Sequence, residues 1–183
     1  LDIGDRRSAI LHIDNLHLAK KGTGIESLLS SGQNLLVQVV KDPVKDKGAV
    51  LTTDLSIPSH SLVYRQSRKK LAISRKIKDA SERDRLADLF ASAVSLAVAP
   101  EGFSGHFILR SVAEGLSEEQ LLFDMQLLHR LWNDISEKRL EKSPVLVHTA
   151  PPIYQRLIED SINLEPLRIT VDCPEIHQAL NQL

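Results

Sequence analysis

The sequence predicts a protein of mixed α+β and α/β class with more than one domain, and three observations carry that expectation. Residues 1–53 hold short apolar runs separated by turn-forming residues. Residues 54–143 mix strand-like runs with two capped, amphipathic helical patterns. From Pro144 to the end, the pattern alternates between strand and helix.

In the first region, the runs Ala9–Ile13, Asn34–Val40 and Gly48–Thr53 read as strands. The turns between them contain Lys20-Lys21-Gly22-Thr23-Gly24 and Asp42-Pro43-Val44-Lys45-Asp46-Lys47. Three strands without a convincing helix fit part of a small β-barrel. An incomplete barrel exposes a strand edge. The first residue is Leu1 rather than Met and stands in a strand-like pattern, so the chain reads as a fragment that natively begins earlier.

In the second region, Ser61–Tyr64 and Leu71–Ser74 read as a hairpin around Arg65–Lys70. Asp79 with Glu82 three residues on predicts a capped helix whose apolar face holds Leu86, Phe90, Ala93 and Ala97, ended by Pro100 and Gly102. Gly105–Arg110 reads as the next strand. Ser117 and Gln120 form a capping box before the strongest helical stripe in the chain: Leu121, Met125, Leu128, Trp132 and Ile135. In the third region, Val145–Val147 and Leu167–Val171 read as strands. Pro151-Pro152 opens a helix through Ile153, Leu157 and Ile158, and Pro174 opens a last one ending at Leu183. This order implies a parallel sheet.

The chain has 183 residues, 26% of them charged, and a formal net charge of −1, which excludes a general cationic coat but not a local basic face. The single Cys173 excludes an internal disulfide framework and a four-cysteine zinc site, and suits a reducing, cytoplasmic setting. No apolar run has the length of a membrane span.

Within that balance, Arg65, Arg68, Lys69, Lys70, Arg75, Lys76 and Lys78 place seven cations in fourteen residues without an acid. This run reads either as a solvated hairpin tip or as a phosphate-binding surface. Arg110-Ser111, at the end of a strand, joins a planar guanidinium to a hydroxyl, a pair able to hold a terminal phosphate and equally able to be an ordinary surface arginine. His12, Asp14 and His17 are too few to argue for a metal. Asp160, Glu165, Asp172 and Glu175 read as helix-end and turn residues rather than paired acids. Gly22-Thr23-Gly24 lacks the ending of a phosphate loop, and no serine stands in a nucleophile elbow. The residues alone describe a nucleic-acid-binding candidate without a visible catalytic centre.

Three stretches go further: "GQNLLVQVVKDPVKDKGAVLTTDLSIPSHSLVY", "LAISRKIKDASERDRL" and "GHFILRSVAEGLSEEQLLFDMQLLHRLWNDI". In that order and spacing they resemble the ribonuclease E/G family, and the opening "LDIGDRRSAILHIDNL" resembles the end of its RNA-binding barrel. The resemblance implies residues 1–53 as a partial oligonucleotide-binding (OB-fold) barrel, 54–143 as a sensor domain for the RNA 5′-monophosphate, and 144–183 as part of a ribonuclease-H-like segment. It further implies an endoribonuclease of RNA processing and decay, acting on single-stranded RNA. It implies too that magnesium is held by aspartates, and zinc by cysteines between protomers of a homo-oligomer, in domains expected to lie outside this chain. The chain alone is therefore expected to be inactive, and no catalytic residue transfers.

The resemblance places the phosphate grip on Arg110 and Ser111, with charge support from Arg75 and Lys76. Backbone contacts fall on Ser59 and Val63, and RNA contact on Lys47, beside the cationic Arg68, Lys69 and Lys70. There are departures. Ser59 replaces a glycine and would obstruct the backbone if that position needs positive φ. Lys76 replaces an arginine and loses a fork. Ile10 replaces a base-stacking aromatic, an interaction of roughly 1–3 kcal/mol. These departures sustain an alternative, a divergent non-catalytic RNA-binding adaptor. A generic α/β small-molecule protein is the third reading, and predicts no RNA affinity.

Overall fold

The computed structural model describes residues 1–17, 24–66, 70–96, 105–161 and 168–181, with side chains omitted at 70, 96, 156 and 159–161. The predicted features at Lys20–Thr23, Arg68, Lys69, Ala97, Pro100, Gly102, Glu165, Leu167 and Leu183 lie outside the described residues. Two sheets and four α-helices are present among the described residues, and the chain divides into two units, Leu1–Val147 and His148–Leu183.

In the first unit, β1 (Ile10–Leu11), β2 (Gln38–Lys41) and β3 (Val50–Thr52) form a sheet of order β1-β3-β2, with β1 parallel and β2 antiparallel to β3. Its small core is Ala9, Ala49 and Leu51. Gly48 is required here: a Cβ on it would overlap the carbonyl of Ser8. Each predicted run coincides with a strand shorter than itself, β2 reaching one residue past Val40.

The second sheet holds β4 (Ser56–Pro58), β5 (Leu62–Arg65), β6 (Lys70–Ile73) and β7 (His106–Leu109), in the order β4-β5-β7-β6. The predicted hairpin between Ser61–Tyr64 and Leu71–Ser74 does not form. Strand β7 lies between β5 and β6, antiparallel to the first and parallel to the second. Helix α1 (Ala80–Leu96) supplies the crossover from β6 to β7 that a parallel pair needs.

Alternation sends Leu62, Tyr64, Phe107 and Leu109 to one face, where α1 and α2 (Glu118–Lys138) cover them with Leu86, Ala93, Leu121, Met125, Leu128, Trp132 and Ile135. The Tyr64 ring stands 5.3 Å from both Phe107 and Trp132. Burial of the phenol raises its pKa to about 12.

Helix α2 begins as its sequence predicts. The Ser117 hydroxyl accepts from the Gln120 amide, the Gln120 side chain accepts from the Ser117 amide, and all five stripe residues are buried. At α1, Asp79 caps by accepting from the amide and hydroxyl of Ser81 at 3.0 and 2.9 Å. Glu82 does not complete that cap. It accepts from the Arg85 guanidinium at 2.6 and 2.7 Å and from the Gly115 amide at 2.8 Å, while Arg85 also donates to the Leu116 carbonyl. The start of α1 is thereby tied to the turn that leads into α2.

The second unit contains α3 (Ile153–Ser161) and α4 (Pro174–Leu180), with Pro174 in the first turn as expected. The two strands predicted after Pro144 are not seen: residues 145–147, at the end of the first unit, and 168–171, in the second, pair with no other described segment. An apolar run becomes a strand only where a neighbour completes its ladder.

Candidate functional site

Register brings separated loops to one end of the four-stranded sheet. Leu62 pairs with Leu109, Leu109 pairs with Ile73, and Pro58 pairs with Val63. The end of β4, the start of β5 and the carboxyl ends of β6 and β7 therefore lie side by side. From them emerge Ser59-His60-Ser61, Arg110-Ser111 and Ser74-Arg75-Lys76. Val63 sits one residue inside the sheet and is half-buried on the face opposite Leu62 and Tyr64.

Each loop is held by named bonds. The Ser59 amide donates to the Leu62 carbonyl at 2.8 Å, and the Leu62 amide donates to the Ser59 hydroxyl at 3.3 Å. The Arg110 Nη1 donates to the carbonyls of Ser59 and His60 at 3.0 and 2.8 Å, and its amide donates to the Ser61 carbonyl at 2.8 Å. Both the amide and the hydroxyl of Ser61 donate to Asp124 Oδ2, the amide at 2.6 Å. Ser111 opens a short 3-10 turn, Ser111–Ala113, and is half-buried.

On the β6 side, the Ser74 amide donates to the Leu109 carbonyl at 2.8 Å, and Arg83 of α1 donates to the carbonyls of Ser74 and Ile77. Arg75 and Lys76 are exposed on this clamped loop. Ser59 is not among the positive-φ residues. Lys45, at φ 51°, is the one non-glycine of that kind among the described residues, so the feared penalty of serine for glycine does not arise.

The described cations of the run do not gather at one end of the sheet. Arg65 is paired with Asp54, and both Arg65 and Lys70 stand in register with His106 at the opposite end of β7 from Arg110. Four residues of strand, about 13 Å, separate the two ends. Lys47 belongs to the other sheet, on the connection between β2 and β3, and is exposed beside the Val44–Lys47 bridge. Ile10, the position of the lost aromatic, is 50% exposed.

Sequence reasoning missed three residues of this region. His60 Nδ1 is buried without a hydrogen-bond partner among the described residues. Asp124 interrupts the apolar stripe of α2, a carboxylate between Leu121 and Leu128 that was the available signal. Arg83 carried no signal, because its partners are backbone carbonyls.

A family model described as "Ribonuclease E/G family" matches residues 56–183. The chain belongs to the ribonuclease E/G family. It is 35% identical to ribonuclease G of Haemophilus influenzae, over 92% of this chain and 36% of that protein. It is 33% identical to ribonuclease G of Escherichia coli, over 98% and 38%, and 31% identical to ribonuclease E of a Nostoc species, over 94% and 25%. This family member thus spans little more than a third of the ribonuclease G sequences and about a quarter of that ribonuclease E. A solved Staphylococcus aureus RNase P protein mutant gives a TM-score of 0.36 at 12% identity, over 44% of this chain and 75% of its own, and bears no weight on the fold.

Proposed function

We propose that this chain is the RNA-binding and 5′-monophosphate-sensing part of a magnesium-dependent endoribonuclease that cuts single-stranded RNA in the cytoplasm. The observation that carries the reading is the convergence of Ser59–Ser61, Arg110-Ser111 and Arg75-Lys76 at one end of the four-stranded sheet. A terminal monophosphate has close to two negative charges at neutral pH. Three cations and a hydroxyl on clamped loops meet that charge with little ordering left to do, which favours binding. A 5′-hydroxyl end lacks the charge and gains nothing there.

In this reading residues 1–53 supply part of an OB-fold barrel and Lys47 follows the RNA backbone as a sequence-independent contact. Residues 144–183 belong to a ribonuclease-H-like segment. Among the described residues, no three His, Cys, Asp or Glu side chains gather to hold an ion. In the same reading, magnesium, the zinc of an oligomer and the hydrolytic step belong to the part of the ribonuclease G length that this chain does not span.

The test is fluorescence anisotropy at fixed salt with a labelled single-stranded octamer bearing either a 5′-monophosphate or a 5′-hydroxyl. The phosphorylated octamer is expected to bind at least tenfold more tightly. Equal affinity for the two removes the sensor function.

A further inference from the structure

We infer that Asp124 is a positioning residue of the 5′-end site, acting through Ser61; the inference rests on the 5′-phosphate reading and adds to it a residue that never meets the RNA. Asp124 is 6% exposed and lies on the core-facing stripe of α2, where an apolar side chain would serve packing better. A carboxylate is costly to bury, so one kept on a core-facing stripe with its hydrogen bonds satisfied serves more than packing. Among the described residues, its side-chain hydrogen bonds go to a single residue 63 positions away, the amide and hydroxyl of Ser61.

The geometry gives this arrangement a use. The peptide unit joining His60 to Ser61 is held at both ends. Its carbonyl accepts from Arg110 Nη1 at 2.8 Å, and its N–H donates to Asp124 at 2.6 Å. Because a trans peptide directs its C=O and N–H to opposite sides, the arginine and the aspartate pull on one rigid plane from two directions. The Arg110 guanidinium is in turn aimed by the carbonyls of Ser59 and His60. Removing Asp124 frees the plane to rotate, and the guanidinium loses the reference that orients it. Arg110 keeps its charge but no longer presents a fixed fork.

The experiment uses Asp124→Asn, Asp124→Leu and Ser61→Ala in the full chain, with the two octamers and a thermal melt for each variant. Asp124→Leu leaves the buried Ser61 amide and hydroxyl unpaired and is expected to melt below the parent temperature, while in the folded protein the ratio of 5′-phosphate to 5′-hydroxyl affinity falls at least fivefold. Asp124→Asn is expected to lose a similar share. Ser61→Ala keeps the amide bond and loses less. In all three, affinity for the hydroxyl octamer stays within twofold.

A folded Asp124→Leu or Asp124→Asn protein with the parent ratio overturns the inference while leaving the sensor intact. A parent protein without discrimination overturns both. Should the Asp124 variants fail to fold, the Ser61 amide resonance of the parent decides: it is expected to move with the phosphorylated octamer and not with the hydroxyl one. An unmoved signal overturns the inference.

Discussion

Replacing Arg110 with alanine separates two roles that one side chain can play at the sheet end. The structural role is visible: Nη1 meets two backbone carbonyls at 3.0 and 2.8 Å. A hydrogen bond from a charged donor contributes about 1.5–3 kcal/mol when buried. Arg110 is half-buried, so water replaces part of each bond and the pair together should be worth about 1–2 kcal/mol. For a unit of this size that lowers the melting temperature by roughly 3–6 °C.

The binding role adds a different signature. Losing a guanidinium–phosphate contact of about 1.5–3 kcal/mol weakens the phosphorylated octamer by about ten- to a hundredfold. The hydroxyl octamer should change less than threefold. Arg110→Lys keeps the charge without the planar fork and should recover only part of the difference. The assay is anisotropy at fixed salt beside a thermal melt. If Arg110→Ala melts lower yet keeps the parent ratio of the two affinities, the residue is only a clamp for the turn and the sensor reasoning is wrong.

Three further outcomes are expected. Gly105→Ala puts a Cβ 2.5 Å from the Arg65 carbonyl and from the Tyr64 ring, which should destabilise the chain by about 1–3 kcal/mol in urea denaturation; unchanged stability would contradict the packing of β5 against β7. The Glu82 pKa is lowered to about 2, chiefly by its bond from Arg85 and then by the Gly115 amide. Because the folded value lies below the ordinary one, the stabilisation is present above about pH 4.5 and is lost as pH falls through about 2. Glu82→Gln should therefore melt lower than the parent at pH 7 and converge with it below pH 2, and a constant gap would contradict the ion pair. Lys47→Ala should weaken both octamers equally and reduce the salt slope by about 0.7, the share of one cation on single-stranded nucleic acid; a selective loss for the phosphorylated octamer would place Lys47 at the 5′ end instead.

What the sequence disclosed was local. The capping box at Ser117 and the stripe of α2 involve neighbours within a few turns, so residue spacing alone locates them. The hairpin between β5 and β6 was misread because the true neighbour of both, β7, arrives only after α1, and nothing in either strand encodes that insertion. The same insertion divided the cationic run, carrying Arg75 and Lys76 to the end occupied by Arg110 and leaving Arg65 against Asp54.

The region after Pro144 shows the opposite error. Apolar runs at 145–147 and 168–171 looked like strands, but strand formation depends on a partner and no described segment pairs with them. For the candidate site, the family resemblance named Arg110-Ser111 and Arg75-Lys76, which the register brings to one sheet end. Asp124 was not legible, because its meaning depends on a serine 63 residues earlier. The convergence itself is a matter of register, which a linear pattern does not specify.

The most direct test of the account is a titration of isotope-labelled chain with a 5′-phosphorylated single-stranded tetramer, followed by amide resonances residue by residue. The largest shifts are expected at 59–61, 74–76 and 110–111, and the 5′-hydroxyl tetramer should leave those positions nearly unmoved. Shifts that ignore the sheet end and gather around Lys47, or that are the same for both tetramers, would contradict it.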